Sequence, residues 1–201
     1  MSKVVVFMNL TLDGVMQAPG RPDEDRRGGF EYGGWAIPYA DPEMGKVAAE
    51  SMATTGALVF GRRTYEDFYS VWPNRTDDNP FTTVLNNARK YVASTTLEEP
   101  LPWANSKLLQ GDGAKAVAKL KEQPGKDLVI LGSGELVRSL MRRNLIDIYV
   151  LQIHPLLLGA GRRLFSEDGS HEALKLVDSK ITSTGVIIAT YLPAVTSTKK
   201  S

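Results

Sequence analysis

The stretch from Lys126 to Phe165 constrains the fold more than any other part of the chain. It starts with a short apolar run at residues 128–131, followed by a glycine-serine-glycine turn at residues 132–134. Apolar residues then recur at helical spacing, and a second apolar run covers residues 146–153. A strand, a glycine turn, a helix and another strand in this order predict a parallel crossover unit.

The same device recurs elsewhere in the chain, so the repeats indicate one mostly parallel sheet. Residues 57–60 form an apolar run that leads into a glycine and a helix, and residues 4–10 read as a central strand. Residues 72–87 read as a polar connection. Residues 174–180 and 185–192 are predicted to pair as an antiparallel hairpin. We therefore predict a single α/β domain over residues 1–194, with an antiparallel C-terminal edge and a disordered tail at residues 195–201.

Composition excludes several kinds of chemistry. The chain has no cysteine and only two histidines, which excludes disulfides, cysteine nucleophiles and thiolate zinc sites, and no metal site is predicted. The net charge of +1 gives no electrostatic footprint for nucleic acid. No apolar run approaches the roughly 20 residues of a membrane helix, so we expect a cytoplasmic protein.

Three predicted strands end in glycine or small polar residues that suit a phosphorylated ligand. These ends are Gly61-Arg62-Arg63-Thr64, Ser94-Thr95-Thr96 and Gly132-Ser133-Gly134. Carboxyl ends of parallel strands share one edge of a sheet, where helix N-termini offer free backbone N–H groups and arginines bind phosphate oxygens. Taken singly, each end also fits a simpler interpretation, as a tight turn or a solvated helix face. Their coincidence favours a site for several phosphates.

Residues 17–39 lack helical or strand periodicity. A loop of this length in a compact domain is typical of a functional lid or of a disordered segment. Its second half carries Phe30, Tyr32, Trp35 and Tyr39. Two interpretations stay open, since aromatic residues here fit either the wall of a ligand pocket or a loop folded over the core. If these residues form a pocket wall, Trp35 and Tyr39 could stack on a flat heterocycle. For His154, before Pro155 at a strand end, a structural role is favoured over substrate contact.

Four motifs in this order resemble the dihydrofolate reductase-like superfamily, in the branch that shares the C-terminal reductase domain of riboflavin biosynthesis. They are Leu10-Thr11-Leu12-Asp13-Gly14, Gly61-Arg62-x-Thr64-Tyr65-Glu66, Ile130-Leu131-Gly132-Ser133-Gly134-Glu135-Leu136, and His154-Pro155 with Leu158-Gly159-x-Gly161-x-x-Leu164-Phe165. The resemblance spans about residues 4–192. It implies a three-layer dihydrofolate reductase-like fold, an NADPH-dependent reductase and a homodimer.

The resemblance also implies roles for individual positions. The residues implied to contact the cofactor NADPH are Asn9, Met16, Gly61, Arg62, Arg63, Thr64, Ser94, Thr95, Leu131, Gly132, Ser133, Gly134, Glu135 and Leu136. Those implied to border the substrate are Leu10, Asp13, Trp35 and Tyr39.

The catalytic acid is implied at Asp41, with Glu43 as the alternative; a carboxylate at this position would assist protonation of the substrate. Asp41 before Pro42 is equally a helix N-cap. The long loop between Asp13 and Asp41, and Leu151 where related enzymes place a threonine, argue against dihydrofolate itself. The expected substrate is a small pterin- or pyrimidine-like heterocycle. A nucleotide-binding module without turnover, or a flavin-binding variant, is the alternative.

Overall fold

The computed structural model describes residues 1–77, 79–165 and 171–194. The elements within these ranges are β1 Val4–Thr11, α1 Pro42–Ala53, β2 Thr55–Gly61, α2 Arg62–Val71, α3 Pro80–Asn87, β3 Arg89–Ala93, β4 Ser106–Leu109, α4 Gly113–Glu122, β5 Asp127–Leu131, α5 Gly134–Met141, β6 Ile148–His154, β7 Leu174–Ile181 and β8 Ile187–Pro193. The predicted tail at residues 195–201 lies outside the described residues.

The described strands join in one sheet in the order β4-β3-β2-β5-β1-β6-β8-β7. All pairs from β4 to β6 are parallel, whereas β8 is antiparallel to both of its neighbours. The prediction of a mostly parallel sheet with an antiparallel C-terminal edge is therefore confirmed. Because β5, β1 and β2 lie in the middle, their apolar runs are covered on both faces.

Helices cover both faces of the sheet, which confirms the three-layer architecture. Val4 and Val6 face a core that contains residues of α4 and α5. Val5 points to the opposite face and packs in a second core with residues of α1, α2 and α3. The alternation along β1 follows from the pleat, since successive side chains of a strand point to opposite faces.

The helix α3 corrects one sequence prediction. Residues 72–87 were expected to be a polar connection, yet Pro80–Asn87 is helical. Asn79 caps this helix by accepting a hydrogen bond from the backbone N–H of Phe81, and Leu85 is fully buried. The prediction failed because the segment is short and its threonines and asparagines dilute the apolar stripe, so that tertiary burial rather than propensity decides.

No helix in the described ranges is long and apolar enough to cross a bilayer. Within the same ranges, no group of three or more histidine or acidic side chains is arranged to hold a metal ion.

Candidate functional site

A cleft of about 450 Å³ lies at the carboxyl edge of the sheet, where β2, β3 and β5 end. Its lining brings together all three strand ends singled out from the sequence. The residues that line it are Gly61, Arg62, Arg63 and Thr64; Ala93, Ser94, Thr95 and Thr96; Ser133, Gly134, Glu135, Leu136 and Ser139; Gly111, Gly113 and Ala114; and Met16, Arg27 and Arg162.

The turns that begin α2 and α5 are bonded directly to each other. Thr64 Oγ1 accepts the backbone N–H of Ser133 at 3.1 Å, and Ser133 Oγ accepts that of Gly61 at 3.0 Å. Ser133 Oγ also lies 3.3 Å from the Leu131 carbonyl, to which it donates. Both hydroxyls therefore hold the two turns in register. The first N–H groups of each helix have no intrahelical partners, as at any helix start.

The start of α5 is shaped by a close approach of Met16. A Cβ atom on Gly134 would lie 2.0 Å from the Met16 Cε and 2.2 Å from its Sδ, so the missing side chain is what admits the thioether. Neither α2 nor α5 has a side-chain cap at its N-terminus. The first backbone N–H groups of both helices thus have no side-chain acceptor.

The charges around the cleft are strongly unbalanced. Its lining contains four arginines, Arg27, Arg62, Arg63 and Arg162, against one acid, Glu135. The Glu135 carboxylate is bonded mainly to Arg138, and its contact with Arg162 is 3.5 Å long. Guanidinium groups in this number attract anions and bind phosphate oxygens through paired N–H donors. The cleft is therefore suited to a polyanionic ligand.

The end of β3 supplies hydroxyl groups. Ser94 Oγ accepts the backbone N–H groups of Thr96 at 3.1 Å and of Leu97 at 3.0 Å, which closes a tight turn. Thr95 is exposed within this turn and lines the cleft. The turn thus presents the Thr95 side chain toward the same space as Arg62 and Arg63.

Several residues implied by the resemblance do not line the cleft. Asn9 is half-buried at the end of β1, beside Gln152 of β6, and Leu10 is buried in the core. Leu131 and Gly132 form the end of β5 and the turn behind Ser133. None of the four lines the cleft, so the cofactor role of Asn9, Leu131 and Gly132 and the substrate role of Leu10 stay predictions.

Asp13 fixes the end of β1 to the segment that follows β6. Its carboxylate accepts hydrogen bonds from Thr11 Oγ1 at 2.6 Å and from the backbone N–H of Gly159 at 2.9 Å, and it forms an ion pair with Arg163. Burial raises the pKa of Asp13, but the hydrogen bonds outweigh it and lower the pKa to about 2. These contacts favour a structural role, and the substrate role stays a prediction.

Asp41 caps α1 and contacts the turn between β7 and β8. Its Oδ1 accepts the backbone N–H of Glu43 at 2.8 Å, and its Oδ2 accepts the hydroxyl and the backbone N–H of Ser183. The bond from the Ser183 hydroxyl, followed by that from Glu43, lowers the pKa of Asp41. Glu43 pairs with Lys180 at 3.0 Å. This geometry favours the capping role, and the catalytic role stays a prediction.

Trp35 and Tyr39 pack edge-on against His154, with ring centroids 5.1 and 5.6 Å apart. Trp35 is buried, and its Nε1 donates to the Gln17 carbonyl at 2.7 Å. His154 is fully buried, which lowers its pKa, and its Nδ1 lies 3.1 Å from the Gln152 carbonyl. The loop is thus folded over the end of the sheet, which agrees with the structural role expected for His154. Stacking on a substrate stays a prediction for Trp35 and Tyr39.

Two of the cleft arginines, Arg27 and Arg162, were not singled out from the sequence. They lie in loops, each beside another arginine, Arg26 and Arg163. Nothing in the spacing of these pairs distinguishes the arginine that faces the cleft. The only available signal was the abundance of arginine and glycine in both loops.

The comparisons with known proteins place the chain in a family. Residues 2–188 match the family model described as the RibD C-terminal domain. The uncharacterized protein YyaP of Bacillus subtilis is 26% identical over 195 residues, which is 94% of both chains. YwjB of the same organism is 36% identical over 128 residues, covering 63% of this chain and 68% of YwjB.

Solved structures share the fold at low sequence identity. A putative riboflavin biosynthesis protein from Shewanella sp. PV-4 matches with a TM-score of 0.65 and 22% identity, over 96% of this chain and 99% of that one. Dihydrofolate reductase from Enterococcus faecalis, complexed with NADP(H), matches with a TM-score of 0.57 and 15% identity, over 95% and 96% of the two chains. The resemblance drawn from the four sequence motifs is thereby confirmed, and the chain belongs to the RibD C-terminal domain family, with a dihydrofolate reductase-like fold.

Proposed function

We propose that the protein is an NADPH-dependent reductase of a small heterocyclic substrate, pterin- or pyrimidine-like. The observation that carries the proposal is the cleft, in which two uncapped helix starts, the Ser94–Thr96 turn and four arginines face one volume. A dinucleotide with a diphosphate and a 2′-phosphate matches this distribution of donors. The family and the fold support a reductase, and NADP(H) is bound by the Enterococcus faecalis relative in the fold.

The residues of the cleft fit NADPH in two places. Arg62 and Arg63, beside Thr95, suit the 2′-phosphate, because a guanidinium forms paired bonds with phosphate oxygens. The start of α5 suits the diphosphate, because its first backbone N–H groups have no side-chain cap. When bound, the nicotinamide would supply hydride; the chain itself would orient it and bind the substrate beside it.

Titration with NADPH, followed by nicotinamide fluorescence, tests the proposal. We expect binding at tens of micromolar or tighter, and an absence of binding in that range would refute the cofactor assignment. Oxidation of NADPH with a panel of pterins, pyrimidines and quinones then tests turnover. Homodimer formation, expected from the resemblance, is tested by light scattering of the same samples.

Arg62→Ala tests the position of the 2′-phosphate. Loss of a charge-assisted contact of about 1.5–3 kcal/mol should weaken NADPH about 10- to 100-fold, and NADH by less than about threefold. Arg89→Ala is the matched control, since Arg89 is exposed at the opposite end of β3. An equal loss for NADPH and NADH would contradict the assignment.

A second function, a nucleotide-binding module without turnover, is favoured by one observation. The acids predicted to donate a proton, Asp41 and Glu43, do not line the cleft. This alternative predicts tight NADPH binding but no NADPH oxidation with any substrate of the panel. A flavin variant predicts instead a yellow protein that binds FMN.

A further inference from the structure

Two of the four cleft arginines belong to neither β–α turn. Arg27 lies in the long loop after β1, and Arg162 lies in the loop after β6. Both also line a second cavity of about 460 Å³, which lies between residues 27–32 and 160–162. They therefore stand on the border between the two cavities.

A single buried side chain, Gln17, holds both of these loops. Its Nε2 donates to the carbonyl oxygens of Asp25 at 3.1 Å and Arg27 at 3.0 Å. Its Oε1 accepts the backbone N–H of Arg162 at 3.0 Å. Gln17 is only 4% exposed, so each of these bonds replaces a contact with water that burial has removed. The amide group is thus used entirely on the backbone that carries the two arginines.

Further contacts fix the Arg27 side chain and the Arg162 backbone while leaving guanidinium donors free. The Arg27 Nε lies 2.8 Å from the Asp25 Oδ1, and its Nη2 bonds to the other carboxylate oxygen. Its Nη1 has no partner in the described part of the chain. The Arg162 carbonyl accepts the backbone N–H of Met16 at 2.9 Å. Among the residues that the structure describes, the Arg162 guanidinium reaches only Glu135, at 3.5 Å and without a hydrogen bond.

We infer that Arg27 and Arg162 form a second anion-binding edge of the cleft and that Gln17 is the residue that positions them. The ligand chemistry is a diphosphate, because Arg27 and Arg162 line the same cleft as the uncapped start of α5, and Arg162 lies 3.5 Å from Glu135 in the first turn of that helix. The diphosphate would thus be bound from two sides, by the backbone of α5 and by these two guanidinium groups. This inference rests on the proposed function, since the diphosphate is taken to be that of NADPH.

Binding of two different ligands distinguishes the contribution of Arg27 and Arg162 from that of Arg62. NADPH carries both a diphosphate and a 2′-phosphate, whereas adenosine 2′-monophosphate carries only the latter. Arg27→Ala and Arg162→Ala should each weaken NADPH about 10-fold or more and leave adenosine 2′-monophosphate within about twofold. Arg62→Ala should weaken both ligands. The control is Arg26→Ala, because Arg26 is exposed and lines neither cavity.

The inference of a second anion-binding edge would be overturned if Arg27→Ala and Arg162→Ala lost affinity equally for both ligands, or if they bound NADPH as tightly as the wild-type protein does. If the wild-type protein fails to bind NADPH, the proposed function fails first. Inorganic diphosphate then decides the inference alone, by its effect on the thermal unfolding midpoint. A rise in the wild-type protein that is absent from both alanine variants supports the edge, and no rise in the wild-type protein overturns it.

Gln17→Ala tests the positioning role. It should weaken NADPH as much as Arg162→Ala does, again with adenosine 2′-monophosphate unchanged, which general loosening of the fold would not produce. Gln17→Glu keeps the acceptor for the Arg162 N–H but places a carboxylate oxygen against two carbonyl oxygens, so it should not rescue binding. If Gln17→Ala does not fold, Gln17→Glu gives the deciding measurement, and unchanged NADPH affinity in a folded variant rejects the role.

Discussion

Asp13→Asn should loosen the attachment of the loop after β6 to the end of β1. The Asp13 carboxylate accepts hydrogen bonds from Thr11 Oγ1 and from the backbone N–H groups of Leu158 and Gly159, at 2.6, 3.3 and 2.9 Å. The Arg163 guanidinium completes the set at 3.3 Å. All four partners are donors. An asparagine of the same shape has one acceptor oxygen and turns an N–H group toward some of these donors.

The expected loss of folding stability follows from the pKa of Asp13. A fall from 3.8 to about 2, at about 1.4 kcal/mol per unit, corresponds to about 2–3 kcal/mol. The side chain is 18% exposed and its ion pair is screened by solvent, which reduces the expected effect to about 1–2 kcal/mol. Because the folded-state pKa is depressed, this stabilisation is present above pH 3.8 and is lost as the pH falls toward 2.

Urea unfolding of wild type and Asp13→Asn at a series of pH values measures this. The free energy of unfolding should differ by about 1–2 kcal/mol at pH 7, and the difference should shrink below pH 4. Asp23→Asn is the control, since the Asp23 side chain is 70% exposed and its ion pair with Arg21 is 3.5 Å long. A difference that is independent of pH would refute the reasoning, because it would then arise from packing and not from the carboxylate charge.

Two further variants probe the loops around the cleft. Gly161→Ala should destabilise the protein by about 1–3 kcal/mol in the same unfolding assay, because φ is 114° and a Cβ would lie 2.7 Å from Phe30 Cε2. Gly159→Ala is the control: its φ is 71° and a Cβ there meets open space, so it should show only the smaller backbone effect. Equal losses of stability in the two variants would contradict the steric argument. Asp41→Asn keeps an N-cap but removes the charge. The kcat should fall 10²- to 10⁴-fold if Asp41 donates a proton, and it should stay unchanged if Asp41 only caps α1. Measuring kcat together with the thermal unfolding midpoint distinguishes the catalytic role from the capping role.

The sheet and its cleft edge were predictable because their signals are local. Residues 128–131 and 57–60 are uninterrupted apolar runs, and each leads into a glycine and a helix, so burial and turn position follow from composition alone. The helix α3 was not predictable in this way. Its stability depends on Leu85 entering the core behind α1 and α2, and a window of eight residues does not contain that information.

The same difference between local and long-range signals separates the cleft residues that were predicted from those that were missed. Arg62 and Arg63 follow directly from the strand-turn-helix pattern, because the pattern itself places a helix start at the sheet edge. The loops that carry Arg27 and Arg162 are joined through hydrogen bonds of Gln17 that span 10 and 145 residues. Loop residues joined by side-chain bonds of this range have no periodicity, so their position is fixed by the folded structure and is not encoded in any short motif.

The charge of the cleft also bears on where a proton donor is to be sought. Four arginines favour the ionised form of a carboxylate, so the volume that suits a polyanion does not suit storage of a proton. In the proposed reaction, a substrate proton would therefore come from solvent or from the region outside the cleft lining where Asn9 is half-buried and Tyr39 packs on His154. If Asp41→Asn leaves kcat unchanged, that region and not the arginine cleft is where substitutions should be made next.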